Sequence, residues 1–209
     1  MKRPHAQWLR PPGPLGPNLR IGLLGGSFNP PHEGHVHISD VALKRLGLDY
    51  VWWLVSPQNP LKSKRDTAPL DKRVAQARRL VHEKRVIVTD VERALGTRYT
   101  VDTLAALKRR FPEAKFVWLM GSDNLAGFHL WKDWPRIVEL MPVAVVMRPG
   151  SMLAPLQAKA MQRFWRIRGK TMRGFRGVRP PALVVIGGPR NTQSSTALRN
   201  GTLVAGRAL

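Results

Sequence analysis

Two histidines three residues apart, His32 and His35, are side chains that could hold an anion. At the start of a helix both can point toward its N-terminal end, where free N–H groups and the helix dipole also attract negative charge. Gly34 stands between them and leaves room for a nucleotide to approach the backbone. Donors that stabilise a transferring phosphoryl group would then lie within one helical turn. The spacing therefore predicts a phosphate site, with helix capping or a metal pair as alternatives. The metal pair is disfavoured because no third ligand is obviously placed to complete it.

The residues just before the histidines fit the same chemistry. Gly25 and Gly26 follow a short apolar run, and glycines there let the backbone turn sharply and bring N–H groups close to an anion. Ser27 and Phe28 would extend those backbone contacts. The glycine pair alone is typical of many α/β turns, so the prediction depends on its combination with the histidines.

A second group of donors lies near the C-terminus. Ser194, Ser195 and Thr196 open a predicted short helix and would supply hydroxyl and backbone donors, while Arg199 would add a fixed charge for phosphate oxygens. Taken alone, the Ser-Ser-Thr turn reads as an ordinary helix N-cap.

The elements that must position these residues alternate along the chain. Strands are predicted at 20–24, 50–55, 85–88, 115–120, 142–147 and 183–186, and helices at 35–46, 70–81, 101–110, 134–140 and 194–199. This alternation predicts an α/β fold: a Rossmann-like, doubly wound, mostly parallel sheet with helices on both faces. Ligands of such sheets lie beyond the carboxyl ends of strands, near a switch point. Gly26 and Gly121 end two strands, and Asp123, which could accept from ribose hydroxyls, hold a metal-bound water or cap a helix, follows the second.

Composition sets the limits on organisation and partners. The chain has 209 residues, no cysteine and a formal net charge of +22, which predicts a field that gathers anions. Residues 1–19, rich in proline and glycine, are predicted to be a flexible leader, and 20–209 a single domain in which 162–180 is a basic connection. No apolar run reaches the ~20 residues that a membrane span requires, so the expected location is the cytoplasm. The sequence specifies no oligomeric state.

Residues 25–35 read Gly-Gly-Ser-Phe-Asn-Pro-Pro-His-Glu-Gly-His. This closely resembles the G-G-(S/T)-F-(D/N)-P-x-H-x-G-H signature of the nucleotidylyltransferase superfamily. Residues 193–199, Gln-Ser-Ser-Thr-Ala-Leu-Arg, resemble its second signature, I-S-S-T-x-(I/L)-R. Asn29, Ser27 and Gln193 replace the commoner aspartate, threonine and isoleucine, and none of these changes removes a proposed phosphate donor. The resemblance implies an ATP site, used with Mg²⁺, and assigns no residue of the chain as a metal ligand.

The middle of the chain resembles one group within that superfamily, the bacterial nicotinate-nucleotide adenylyltransferases. Residues 56–62, Ser-Pro-Gln-Asn-Pro-Leu-Lys, resemble their P-x-x-P-x-K loop, and 97–104, Thr-Arg-Tyr-Thr-Val-Asp-Thr-Leu, their S/T-x-Y-T-x-x-T-L segment. Residues 121–131 resemble their G-x-D-x-L-x-x-F-x-x-W segment. The implied activity is transfer of AMP from ATP to nicotinate mononucleotide, which gives deamido-NAD and pyrophosphate in NAD biosynthesis.

The resemblance implies a role for each matching residue. His32, His35 and Arg199 would be catalytic, and Tyr99, Thr100, Trp131 and Lys62 would bind the mononucleotide. Tyr99 and Trp131 can stack on its ring at ~1–3 kcal/mol per aromatic face, Thr100 can hydrogen-bond its carboxylate, and Lys62 can meet its phosphate. The ATP-binding residues would be Gly25, Gly26, Ser27, Phe28, Gly34, Gly121, Asp123, Ser194, Ser195 and Thr196.

Three other functions fit part of this pattern. An adenylyltransferase for the amidated nicotinamide mononucleotide would share every ATP-site residue. A tRNA-charging role fits the charge and the H-x-G-H motif, but the chain offers no K-M-S-K-S segment and no anticodon-binding domain. A nucleic-acid-binding module without catalysis would explain the charge and leave both motifs unexplained, so nucleic acid is not the expected partner.

Overall fold

The computed structural model describes residues 10–57, 67–147, 158–164 and 177–187. Within these ranges six strands form one sheet, in which every neighbouring pair is parallel. They are β1 (Arg20–Gly26), β2 (Tyr50–Val55), β3 (Val86–Thr89), β4 (Lys115–Gly121), β5 (Val143–Val146) and β6 (Leu183–Ile186). Their order across the sheet is β3-β2-β1-β4-β5-β6. This is the Rossmann order, so the predicted doubly wound sheet is confirmed.

Helices connect the strands of the described residues. They are α1 (Glu33–Arg45), α2 (Leu70–Leu80), α3 (Val91–Leu95), α4 (Thr100–Arg110), α5 (Ser122–Gly127), α6 (Trp134–Leu140) and α7 (Lys159–Phe164), with a 3-10 turn at Phe128–Leu130 between α5 and α6. None of them combines the length and apolar character that crossing a bilayer requires.

Two hydrophobic clusters cover the two faces of the sheet. Successive residues of a strand point to opposite faces, so Leu23 joins the cluster under α4 and α6, whereas Leu24 joins the cluster under α1 and α2. In β2, Trp52 and Trp53 divide between the faces in the same way. The strands therefore read as continuous apolar runs, and the prediction of helices on both faces is confirmed.

β1 runs two residues further than predicted. Gly25 and Gly26 were expected to form a turn after Leu24, but they continue the ladder beside Leu54 and Val55 of β2. A Cβ atom at Gly25 would lie 2.2 Å from Cη2 of Trp118 on β4. The glycine is thus required inside the strand, because the indole occupies the space of its side chain.

The short helices α3, α5 and α7 have five or six residues each and were not predicted. Fewer than two helical turns give no detectable apolar period. Helix α7 enters the predicted basic connection, since it continues through Arg163 to Phe164 and places that guanidinium carbon 5.5 Å from the ring centre of Trp134. In the predicted leader, Leu15 packs against the hydrophobic cluster under α4. The domain boundaries themselves stay predictions.

Candidate active site

The candidate site lies where β1 and β4 are neighbours in the sheet. β1 leads back toward β2, and β4 leads outward to β5, so their carboxyl ends open on the switch point of the fold. Gly26 ends β1 and Gly121 ends β4. Helix α1 begins seven residues after β1, at Glu33, and α5 begins directly after β4. The structure thus brings together the two strand ends selected from the sequence.

His32 and His35 lie against each other at the start of α1, with ring centres 3.9 Å apart. His32 is the N-cap residue and is buried. Its Nδ1 accepts a hydrogen bond from the Gly34 N–H at 3.0 Å, while its own N–H donates to Nδ1 of His35 at 3.2 Å. The capping alternative is therefore correct for the Nδ1 atoms, and Gly34 contributes a cap donor.

These contacts determine which ring nitrogen carries the hydrogen. A neutral imidazole has one N–H, so an Nδ1 that accepts leaves the hydrogen on Nε2. Nδ1 of His35 also lies 3.3 Å from the His32 carbonyl, but a ring nitrogen that accepts from the His32 N–H has no hydrogen to donate to that oxygen. We therefore assign the Nε2–H form to both rings. Capping through Nδ1 and anion binding through Nε2–H are compatible in the same side chain.

Two aromatic side chains, Phe28 and Trp53, pack against the His35 ring. Phe28 is fully buried and stacks on Trp53 at 5.0 Å between ring centres, and His35 lies 4.5 Å from Phe28. Trp53 donates from Nε1 to Oγ of Ser39 at 2.8 Å, and Ser39 donates to the His35 carbonyl at 2.9 Å. Phe28 has φ 46°, a left-handed conformation that costs a bulky residue ~1–3 kcal/mol. Such strain is typical of ligand-binding turns.

Trp118 lies between Gly25, in the segment predicted to bind ATP, and Trp131, which was predicted to bind the mononucleotide. Its Cη2 fills the space beside Gly25, and its ring meets Trp131 edge to face at 6.1 Å. Trp131 is half-buried and also meets Phe128 at 5.4 Å. Trp118 is a core residue, whereas Trp131 lies at the margin of the core, where one side can serve a ligand.

The Tyr99-Thr100 segment lies next to Trp131. Tyr99 is the N-cap residue of α4 and Thr100 is the first residue of that helix. Lys132, which follows Trp131, places Nζ 4.6 Å from the centre of the Tyr99 ring and 3.0 Å from Oδ2 of Asp102. The lysine thus joins the two segments that were predicted to bind the mononucleotide.

The other predicted residues divide into two groups. Gly121 is buried at the end of β4, and Asp123 is exposed in the first turn of α5, where Gly121 rather than Asp123 is the N-cap. Lys62, Ser194, Ser195, Thr196 and Arg199 lie outside the described residues. Among the described residues, no group of three or more His, Asp or Glu side chains could hold a metal ion.

Two buried charged residues were missed by the sequence analysis. Glu92 of α3 accepts from Oγ1 of Thr103 at 3.4 Å and also bonds the Ser56 side chain. Burial raises the pKa of Glu92 to about 7, partly offset by those two hydrogen bonds. Arg73 of α2 is 1% exposed. It lies four residues before buried Ala77, so its position on the apolar face was a detectable signal, whereas the five-residue α3 offered none for Glu92.

Comparison with known proteins gives a consistent result. The family model described as cytidylyltransferase-like matches residues 23–201. A protein of Cereibacter sphaeroides, named a probable nicotinate-nucleotide adenylyltransferase, is 54% identical over 86% of this chain and 96% of its own length. A protein of Parvibaculum lavamentivorans with the same name is 48% identical over 88% of this chain and 93% of its own.

The fold also matches a solved structure. Nicotinic acid mononucleotide adenylyltransferase of Plasmodium falciparum, complexed with NaAD, superposes with a TM-score of 0.65 and covers 87% of this chain and 83% of its own. Sequence identity in that match is 17%, so it demonstrates a shared fold.

Proposed function

We infer that this chain, which belongs to the cytidylyltransferase-like family, is a nicotinate-nucleotide adenylyltransferase that transfers the adenylyl group of ATP to nicotinate mononucleotide. The products are deamido-NAD and pyrophosphate, so the enzyme serves NAD biosynthesis. Relatives of that name at 48% and 54% identity, matched along nearly their whole length, support the assignment. The observation in the structure that carries it is the histidine pair at the switch point, with both rings assigned the Nε2–H form.

The reaction needs positioning more than acid–base chemistry. An oxygen of the mononucleotide phosphate attacks the α-phosphorus of ATP, and the bond from that phosphorus to the bridging oxygen of the β-phosphate breaks. The attacking oxygen is already an anion, so no general base is required and no covalent enzyme intermediate forms. Catalysis then consists of in-line alignment and stabilisation of the charge on the phosphates.

In the donor half, His32 and His35 would donate from Nε2 to the ATP phosphates as charge moves onto the departing pyrophosphate. Their backbone-anchored Nδ1 atoms fix the ring orientations, which supports this role. Backbone groups of Gly25 to Phe28 would line the same phosphates. The proposal gives the pyrophosphate further donors, the side chains of Ser194, Ser195, Thr196 and Arg199.

In the acceptor half, Trp131 and Tyr99 would stack on the pyridine ring, and Thr100 with the first N–H groups of α4 would bind its carboxylate. A carboxylate at a helix N-terminus meets free donors and the positive end of the dipole. Lys62 would bind the mononucleotide phosphate. Gly121 and Asp123 would contact the ATP ribose.

Mg²⁺ is proposed to enter with ATP and to neutralise part of its phosphate charge. Mg²⁺ in such sites keeps several waters and takes one or two carboxylates besides phosphate oxygens. Asp123, exposed at the start of α5, suits the binding of a metal-bound water. We place the reaction in the cytoplasm, where ATP is available.

A pyrophosphate-release assay tests the assignment, with ATP supplied together with either nicotinate mononucleotide or its amide. We expect turnover with both and a clear preference for the acid. Preference for the amide would overturn the choice of substrate, and release with neither would overturn the activity.

Two histidine variants test the role of the site. His35→Ala should lower turnover about 10²–10³-fold, the usual loss for a donor that stabilises transition-state charge. His37→Ala is the matched control, because residue 37 lies on a different side of α1, and it should keep turnover within twofold. Near-normal turnover of His35→Ala, with the fold intact by circular dichroism, would contradict the proposed role.

A further inference from the structure

Arg73 is a buried cation that bonds only backbone carbonyls among its described contacts. Nε donates to the Ala68 carbonyl at 2.8 Å, and Nη2 donates to that of Pro57 at 3.0 Å. Nη1 donates to two carbonyls, those of Ser27 at 2.5 Å and Ser56 at 2.7 Å. None of the ion pairs found within the described residues includes Arg73.

This arrangement is costly. Removing a cation from water costs several kcal/mol even after the protein relaxes, and burial lowers the pKa of Arg73 accordingly. A leucine or methionine at this position would pack on the sheet without that penalty. The hydrogen bonds to four backbone carbonyls are therefore what offsets the cost of burying the guanidinium.

Three of the four carbonyls, those of Ser27, Ser56 and Pro57, belong to segments proposed to bind the two substrates. Ser27 lies in the turn proposed for ATP. Ser56 and Pro57 directly follow β2 and belong to the same sequence segment, 56–62, as Lys62, and Ala68 precedes α2. The Ser56 N–H also donates to the Gly26 carbonyl at 2.9 Å. The turn at Ser27 and the end of β2 at Ser56 are thus held side by side, and one nitrogen of Arg73 bonds both.

We propose that Arg73 is a positioning residue for adenylyl transfer, which sets the distance between the ATP turn at Ser27 and the residues that follow β2 by holding the Ser27 and Ser56 carbonyls on one guanidinium nitrogen. This inference depends on the proposed function. In-line attack requires reacting atoms ~3–3.5 Å apart, and a shift of ~1 Å can lower the rate about 10²-fold. The planar fork matters as well as the charge, since a lysine ammonium is a single point donor on a flexible stem.

The test compares Arg73→Lys and Arg73→Gln with Arg20→Lys. Arg20 is the matched control: its guanidinium also donates to two backbone carbonyls, those of Leu46 at 3.3 Å and Gly47 at 2.8 Å. It lies at the amino end of β1, whereas the site lies beyond the carboxyl ends of the strands. Turnover is divided by the folded fraction, which is measured by circular dichroism. The Kd of each substrate alone is measured by calorimetry.

We expect both Arg73 variants to lose about 10–100-fold in kcat, with the Kd of ATP and of nicotinate mononucleotide each within about threefold of the parent. Arg20→Lys should keep kcat within twofold, even if its melting temperature falls. The proposal is overturned if either folded Arg73 variant retains kcat within twofold, or if the loss only follows the folded fraction. Arg73→Gln buries no charge, so it provides the folded variant should Arg73→Lys fail to fold. A parent enzyme that releases no pyrophosphate would refute the proposed function instead.

Discussion

Replacing Glu92 by glutamine should change how the stability of the protein depends on pH. The carboxyl is 7% exposed and is held between Ser56 and Thr103. Burial disfavours the ionised form and raises the pKa to about 7, from an ordinary value of 4.5. Glutamine has nearly the same shape, can still accept from Thr103, and does not ionise.

The size and sign of the effect follow from linkage. The folded pKa is raised, so the contribution of Glu92 to stability is complete below pH 4.5 and is lost as pH rises toward 7. One pKa unit corresponds to about 1.4 kcal/mol, so the loss amounts to ~3 kcal/mol above pH 7. The Glu92→Gln variant avoids that loss. Relative to the parent, it should gain ~3 kcal/mol between pH 4.5 and pH 7.5.

Urea unfolding at half-unit steps from pH 4.5 to 8 measures this difference. The exposed Glu113, in the loop between α4 and β4, provides the control variant Glu113→Gln, a surface substitution that should change the free energy of unfolding by no more than about 0.5 kcal/mol. The reasoning would be refuted if the free energies of unfolding of Glu92→Gln and of the parent differed by the same amount at every pH from 4.5 to 8. Glu92 would then have the same pKa in the folded and the unfolded chain.

Two further predictions concern packing under the site. Gly25→Ala should lower the melting temperature by several degrees and weaken ATP binding, because its Cβ would lie 2.2 Å from Cη2 of Trp118. Gly127→Ala is the control, because a Cβ atom at residue 127 would have no other atom within 4 Å; this change should be neutral or stabilising by about 0.4–1 kcal/mol. Equal melting temperatures of Gly25→Ala and Gly127→Ala would contradict the packing argument. Ser39→Ala should cost about 1–3 kcal/mol in urea unfolding, since the buried Trp53 Nε1–H loses its acceptor. In a Trp53→Phe background the same change should cost clearly less, and equal costs in both backgrounds would show that the hydrogen bond contributes nothing.

The sheet was predictable because its strands are buried on both faces. A parallel strand covered on each side reads as a short apolar run, and five of the six runs end within one residue of the observed strand. β1 was predicted too short because glycine was interpreted as a turn residue. The Trp118 ring fills the space where a side chain at residue 25 would lie, and glycine is needed there for that reason. This could not be read from the sequence, because Trp118 is about ninety residues away from Gly25.

The juxtaposition of His32 and His35 at the start of α1 was predictable for a related reason. The histidine pair and its glycines lie within one short segment, so their spacing could be read directly. Arg73 and Glu92 act on residues distant in sequence, through carbonyl and hydroxyl groups whose positions depend on the folded chain. The place of Arg73 on the apolar face of α2 signals that it is buried, but backbone carbonyl partners leave no residue type from which its contacts could be read.

The edge-to-face contact of Trp118 and Trp131 has an optical consequence. Two indoles with ring centres 6.1 Å apart are close enough for their electronic transitions to interact, and one of them lies where the pyridine ring is proposed to stack. An aromatic ligand on Trp131 would alter that interaction and quench emission from the pair. Binding of the mononucleotide should therefore change the intrinsic tryptophan fluorescence of the unlabelled protein.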